Sequence, residues 1–440
     1  MEATKELETP NSFRRIANKL EGPYWIMLGL FVILVAAAFI LDHPRNIRNG
    51  LIAIVQSRSI LVTDYAALGG MGAMLVSSVL VGAFSMITMI IGGVKPTGGT
   101  LMGLWLILGF AFLGKNLANT IPIVFGVWLY SAVKKMPFKD VAVTSMLCAC
   151  IAPIVSEVAH VTNNQSVLPE LISHPFLGGM IVGTLVGIFV GFIFAPLAAA
   201  MGKVHGGYLL YNGGFVGGLI ATFAVSIMRG AGFEIGPMRI WTEAYTVPLA
   251  ILMYIVSLFF IVAGIVTSGR DRWERMRKIN KHSGRLLTDY YELYGNVAYL
   301  NMGLLCALGT TVTLLVGAPI NGGTMGGIFC VVGFGALGKN FRNVIPIMIG
   351  TTLGAFLNIH AVSEPSNIFA ILFGTGIAPL AGKFGLMWGI VCGFVHVNLV
   401  WFVGLINGGL NLYNNGFAGG FVVIFMIPIM TALSRNKEIE

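Results

Sequence analysis

Several stretches of this chain run for about twenty residues with no charged side chain, and that feature leaves few folds open. YWIMLGLFVILVAAAFIL (Tyr24 to Leu41), FLGGMIVGTLVGIFVGFIFAPLAAA (Phe176 to Ala200) and TVPLAILMYIVSLFFIVAGIVTSG (Thr246 to Gly269) are each long enough to cross the hydrocarbon of a bilayer. Lipid offers no partner for backbone N–H and C=O groups, so such segments must be helical. Only 10% of the 440 residues are charged, against about 25% in soluble domains, and the mean hydropathy is +0.85. The reading is an all-α polytopic membrane protein of the cell (inner) membrane, with the bilayer as its first partner.

The 58 glycines exceed what anchoring helices need. Small residues let helices approach closely and permit breaks, so interrupted helices are expected. The first apolar run lacks a small-residue cleavage site after it and reads as a retained span rather than a signal peptide. Cys148, Cys150, Cys306, Cys330 and Cys392 all lie in apolar segments and read as buried thiols, with no metal or other cofactor implied. A net charge of +9 does not point to nucleic acid, because its densest part, GRDRWERMRKINKHSGR (Gly269 to Arg285), fits a cytoplasmic loop.

The chain repeats itself. Gly98–Ile123 and Gly322–Ile347 match at more than half of their positions, through the GGT starts (Gly98, Gly99, Thr100; Gly322, Gly323, Thr324), the GKNxxN frames (Lys115, Asn116, Asn119; Lys339, Asn340, Asn343) and the IPI that follows. LVTDY (Leu61 to Tyr65) answers LLTDY (Leu286 to Tyr290), VSE at Val155–Glu157 answers VSE at Val362–Glu364, and GGYLLYNGGFVGG (Gly206 to Gly218) answers GGLNLYNNGFAGG (Gly408 to Gly420). This alignment places extra residues in the first copy between IPI and VSE, around KKMPFKD (Lys134 to Asp140).

Arg14, Arg15 and Lys19 put the N-terminus inside and the Arg270–Arg285 loop precedes the second copy, so the two copies start on opposite faces. The expected plan is two inverted repeats with short or broken, re-entrant-like helices. Its parts are 1–57 (N-terminus, first span and external linker), 58–230 (first repeat), 231–283 (linking span and basic loop), 284–433 (second repeat) and 434–440 (cytoplasmic tail). In such plans the solute site lies at the repeat interface near the midplane.

Candidate site residues follow from chemistry. A glycine-started helix leaves N–H groups free and carries positive dipole, so the two GGT starts are candidate anion cradles. Lys115 and Lys339, with the asparagines of their frames, offer charge and amide groups. A carboxylate in an apolar segment is a functional candidate by default, which singles out Glu157 and Glu364 for coupling, with His160, His360, Asn163, Asn164 and Asn367 nearby. Pro365 should break the helix after Glu364, leaving carbonyls, Ser363, Ser366 and Asn367 as oxygen donors for a cation or proton.

LYNGGFVGG and LYNNGFAGG resemble the short Tyr-Asn-Gly segments of urea transporters, which also carry inverted repeats around a central pore. That resemblance covers about nine residues per half and implies Tyr211, Asn212, Gly214, Tyr413, Asn414 and Gly416 near a permeation path. The chain as a whole resembles uncharacterised multi-span membrane proteins of bacteria. The expectation is a transporter, not an enzyme, moving a small polar or anionic solute with proton or cation coupling. The alternatives are a passive urea-type channel and an intramembrane enzyme; a homo-oligomer is also possible.

Overall fold

The computed structural model describes residues 22–164, 175–236, 238–285 and 288–433. Asn163 and Asn164 belong to a helix whose side chains there fall outside the description. Arg14, Arg15, Lys19, the two leucines of LLTDY and the C-terminal tail lie outside the described residues. The regular structure of the described residues is all helical, apart from two isolated bridges, Thr63 to Ile240 and Asp289 to Leu337.

In order, the elements are α1 (Gly22–Leu41), α2 (Pro44–Gln56), α3 (Tyr65–Gly69), α4 (Met71–Ile91), α5 (Gly98–Phe110), α6 (Leu117–Val133), α7 (Ala142–Cys148), α8 (Ala152–Asn164), α9 (Pro175–Val204) and α10 (Asn212–Gly230). The second half has α11 (Thr246–Thr267), α12 (Arg272–Ile279), α13 (Tyr290–Tyr294), α14 (Val297–Leu315), α15 (Gly322–Gly333), α16 (Phe341–Leu357), α17 (Pro365–Phe373), α18 (Ala378–Phe384), α19 (Leu386–Ile406) and α20 (Asn414–Leu433). Among the described residues, ten helices are long and apolar enough to cross a membrane, counting α7 with α8 and α17 with α18. The chain is a multi-pass membrane protein.

The packing partners repeat between the halves. α1 lies on α4 as α11 lies on α14, and α6 lies on α9 as α16 lies on α19. The segment at Thr246 is thus the counterpart of the first span. α5 packs on α15 and α10 on α20, so the two halves meet through counterpart elements. Glycine makes both meetings close. A Cβ on Gly326 would lie 2.8 Å from the Gly109 carbonyl oxygen, and one on Gly214 would lie 2.9 Å from the Cα of Gly416. Every residue of α15 is buried, as befits the centre of a bundle, while α1 exposes Val32, Phe39 and Ile40 to its surroundings. The five cysteines are buried and unbridged.

The structure corrects the repeat alignment. α7, a 3-10 turn (Ala149–Ile151) and α8 correspond to α17, a 3-10 turn (Gly374–Ile377) and α18. Both turns lead into Ile-Ala-Pro, at Ile151–Pro153 and Ile377–Pro379. In that register Lys383, not Glu364, stands where Glu157 stands, and the two VSE triplets coincide by chance. The extra length of the first copy falls between α8 and α9, not around KKMPFKD. The Tyr-Asn-Gly segments also open full-length helices, α10 and α20, whereas the GGT segments form short ones.

Candidate functional site

The two lysines leave the chain where helices stop. α5 ends at Phe110, Lys115 N–H donates to the Phe110 carbonyl, and Asn116 then caps α6. Lys339 repeats this between α15 and α16, its N–H on the Phe334 carbonyl and Asn340 as the cap. Each ammonium reaches into the other half. Lys115 Nζ donates to the Tyr413 hydroxyl at 2.7 Å, and Lys339 Nζ donates to that of Tyr211 at 2.5 Å. Each also lies over two rings: Lys115 over Tyr413 and Phe110, Lys339 over Tyr211 and Phe334.

Both lysines are fully buried, and among the described residues neither has a carboxylate partner. A buried lysine with no counter-charge is costly to keep charged, so an arrangement that keeps two such side chains demands a reason.

Beside the lysines lies a cavity of about 10 Å³, room for about one water molecule. Ten of its twelve wall residues form counterpart pairs: Leu106 with Cys330, Phe110 with Phe334, Leu147 with Phe373, Tyr211 with Tyr413, and Gly213 with Asn415. The cavity therefore sits at the junction of the copies, walled mostly by rings and aliphatic side chains.

The GGT starts are not open cradles. Asp289 accepts from Gly98 N–H at 3.0 Å and Gly99 N–H at 3.2 Å, and Asp64 accepts from Gly322 N–H at 3.0 Å. Each aspartate belongs to the Thr-Asp-Tyr of the opposite copy, so the carboxylate that a helix dipole favours is supplied by the chain itself. Thr100 and Thr324 sit inside the caps, with their N–H groups on the side chains of Thr97 and Asn321. A Cβ on Gly323 would lie 2.6 Å from the Trp241 ring, which leaves no space there for a solute.

The asparagines of the GKNxxN frames are also committed. Asn116 with Asn119, and Asn340 with Asn343, form reciprocal capping boxes that satisfy helix-start N–H groups. Asn119 further donates to the Gly114 carbonyl and Ser156 Oγ, and Asn343 to the carbonyls of Gly338 and Ser283. Of the Tyr-Asn-Gly residues, the tyrosines hold the lysines, whereas Asn212 binds His205 and the Ala198 carbonyl and Asn414 accepts from Asn407.

The glutamates lie apart from the cavity. Glu157 is fully buried but takes two hydrogen bonds from Arg58, at 2.5 and 2.7 Å, and Glu364 pairs with Arg239 at 2.8 Å where both are partly exposed. Neither meets a lysine. A helix does begin at Pro365, yet Asn367 is fully used, donating to the Ala361 carbonyl and accepting from Asn358 and Trp401. His360 and Ser363 are exposed, with His360 stacked on Trp401, and His160 is half-buried; none of the three is on the cavity wall. These residues form no single cation site.

Sequence reasoning passed over Asp64 and Asp289, although both stand in the matched Thr-Asp-Tyr triplets, where a carboxylate kept in two apolar contexts was the available signal. It also passed over His396, whose ring meets Asn415 of the cavity wall. Residues 43–230 and 268–432 match the family described as "Protein of unknown function (DUF1576)", and the match in two halves accords with the duplication. No curated protein and no solved structure matches the chain. On a match over most of its length, the chain belongs to the DUF1576 family.

Proposed function

We propose that this chain is a transport protein in which two inverted repeats hold a small anion between Lys115 and Lys339. The observation that carries the reading is the pair of buried lysines without carboxylates, each resting on a tyrosine of the other copy beside a cavity at their junction. A small anion supplies the missing counter-charge, and ammonium and phenol groups supply charge-assisted donors. A path for neutral solutes gains nothing from two buried lysines, which argues against the urea-type channel.

Inversion is supported by parity. Between the two Thr-Asp-Tyr landmarks the chain passes through α4, α5, α6, α7 with α8, α9, α10 and α11. Counting short α5 and α6 both as crossings or both as turning back leaves an odd total, which reverses the second copy. On the positive-inside rule this reading has the α12 loop and both termini on the cytoplasmic side and α2 outside. The breaks before Lys115 and Lys339 fit the discontinuous helices that such a plan uses at its solute site.

Proteoliposomes test this. Exchange of labelled nitrate, chloride or oxalate is expected in the unaltered protein and is expected to fall at least tenfold in Lys115→Met and Lys339→Met. Uptake of urea with no anion exchange would overturn the reading in favour of the passive channel.

A further inference from the structure

The cavity wall carries one amide that the first copy does not repeat. Asn415, the second residue of α20, is 6% exposed and lines the cavity, and its counterpart is Gly213. Its Oδ1 lies 2.9 Å from Nε2 of His396 in α19. His396 Nδ1 is buried without a hydrogen-bond partner among the described residues, and burying a bare lone pair there costs less than burying an unpaired N–H. The ring proton therefore sits on Nε2 and donates to Oδ1, which turns the oxygen of the Asn415 amide toward the histidine.

Nδ2 is then the free end of that amide. It has no hydrogen-bond partner among the described residues, yet unlike His396 Nδ1 it is not sealed in by packed atoms, and the open space that Asn415 borders is the cavity. Tyr413, two residues earlier and also on the wall, takes the Lys115 hydrogen bond on its oxygen, which leaves its own O–H hydrogen to donate. The first copy offers no such amide. Phe194 stands where His396 does, 3.8 Å from a Cβ placed on Gly213, so that place is apolar. The first copy does pair a histidine with an asparagine, His205 with Asn212, but there Nδ2 is spent on the Ala198 carbonyl and neither residue lines the cavity.

We propose that Asn415 determines which anion the site takes, its Nδ2 donating to a halide ion in the cavity, a role that rests on the anion-transport reading. An N–H donor bound to an anion makes a charge-assisted hydrogen bond, stronger than one between neutral groups. Size makes the anion a halide. The cavity has room for about one water molecule, which chloride or bromide, as single atoms of similar size, can replace, whereas nitrate and oxalate need a wall to move. His396 is a positioning residue that touches no solute: it keeps the amide oxygen, which would repel the anion, turned toward itself.

The test uses the full chain in lipid nanodiscs, with chloride, bromide, nitrate and oxalate titrated calorimetrically. The unaltered protein is expected to bind the halides more tightly than the two oxyanions. Asn415→Gly, which copies the first half, removes the donor and adds room, and should lower the chloride-to-nitrate affinity ratio about tenfold or more, the effect of one hydrogen bond to a charged partner. Asn415→Leu keeps the bulk without the donor and should weaken chloride binding by a similar factor. A merely structural role would lower both affinities together. An unchanged ratio in a folded Asn415→Gly, unchanged chloride binding in Asn415→Leu, or preference of the unaltered protein for nitrate or oxalate overturns the inference. Absence of anion binding by the unaltered protein, or unchanged binding in Lys115→Met and Lys339→Met, overturns the anion reading instead. Should neither Asn415 variant fold, bromide located by anomalous scattering in the unaltered protein decides. Bromide in contact with Asn415 Nδ2 supports the role, and a bromide at the junction beyond its reach refutes it.

Discussion

Replacing Asp64 by alanine tests whether the two copies are clasped through their Thr-Asp-Tyr triplets. The Asp64 carboxylate is 1% exposed and accepts from three backbone donors: Ala66 N–H at 2.9 Å, Gly322 N–H at 3.0 Å and Thr242 N–H at 3.2 Å. Alanine leaves all three without a partner, those of Ala66 and Gly322 in a buried place and that of Thr242 in a half-buried one, and each orphaned donor costs about 1–3 kcal/mol. Ala66 lies in a first helical turn with the easiest alternatives, so the expected loss is about 3–6 kcal/mol. Asp289 also serves three donors, Gly98, Gly99 and Glu292 N–H, but is only half-buried. Water can replace part of its role, and Asp289→Ala should cost about 1–3 kcal/mol. Asp64→Asn keeps an acceptor oxygen in place and should cost less than Asp64→Ala. Unfolding titrations from mixed micelles into SDS, followed by tryptophan fluorescence, give the three values. A loss below about 1 kcal/mol for Asp64→Ala, or a larger loss for Asp289→Ala, would refute the clasp as described.

Arg58→Ala strands Glu157 as a buried charge and should cost about 3–5 kcal/mol, whereas Arg239→Ala removes an exposed pair and should cost less than about 1 kcal/mol in the same titration. Tyr413→Phe and Tyr211→Phe each delete a hydrogen bond to a buried ammonium, about 1.5–3 kcal/mol, and because the two sites mirror each other their losses should agree within about 1 kcal/mol. For topology, Arg48→Cys and Arg277→Cys should label with a membrane-impermeant maleimide from opposite sides of sealed vesicles; labelling from one side would contradict the inverted arrangement.

The helical membrane architecture was legible because lipid permits so little else: length and absence of charge dictate a helix wherever the backbone must satisfy itself. The duplication was legible wherever several residues matched in a row, as in the GGT-to-IPI stretch. It misled at VSE, where three residues agree by chance and the Ile-Ala-Pro triplet marks the true register. Lys115 and Lys339 stood out because charge in apolar surroundings is conspicuous. Their partners did not, since Tyr211 and Tyr413 lie in the opposite halves and no local pattern encodes a contact across the chain. The GGT helices show the same limit. Dipole physics says that an anion belongs at their starts but is silent on whether a solute or a distant aspartate provides it. Asn116 and Asn340 look like binding groups in sequence, although an Asn-x-x-Asn frame at a helix start is equally a capping box.

The central claim, that the paired lysines hold a small anion between the copies, is tested most directly by a structure of the protein in bromide, located by anomalous scattering. The account predicts a bromide at the junction within hydrogen-bonding reach of Lys115 or Lys339 Nζ, with Tyr211 or Tyr413 moved to admit it. Bromide confined to the surface, with both lysines still seated on their tyrosines at saturating salt, would contradict it.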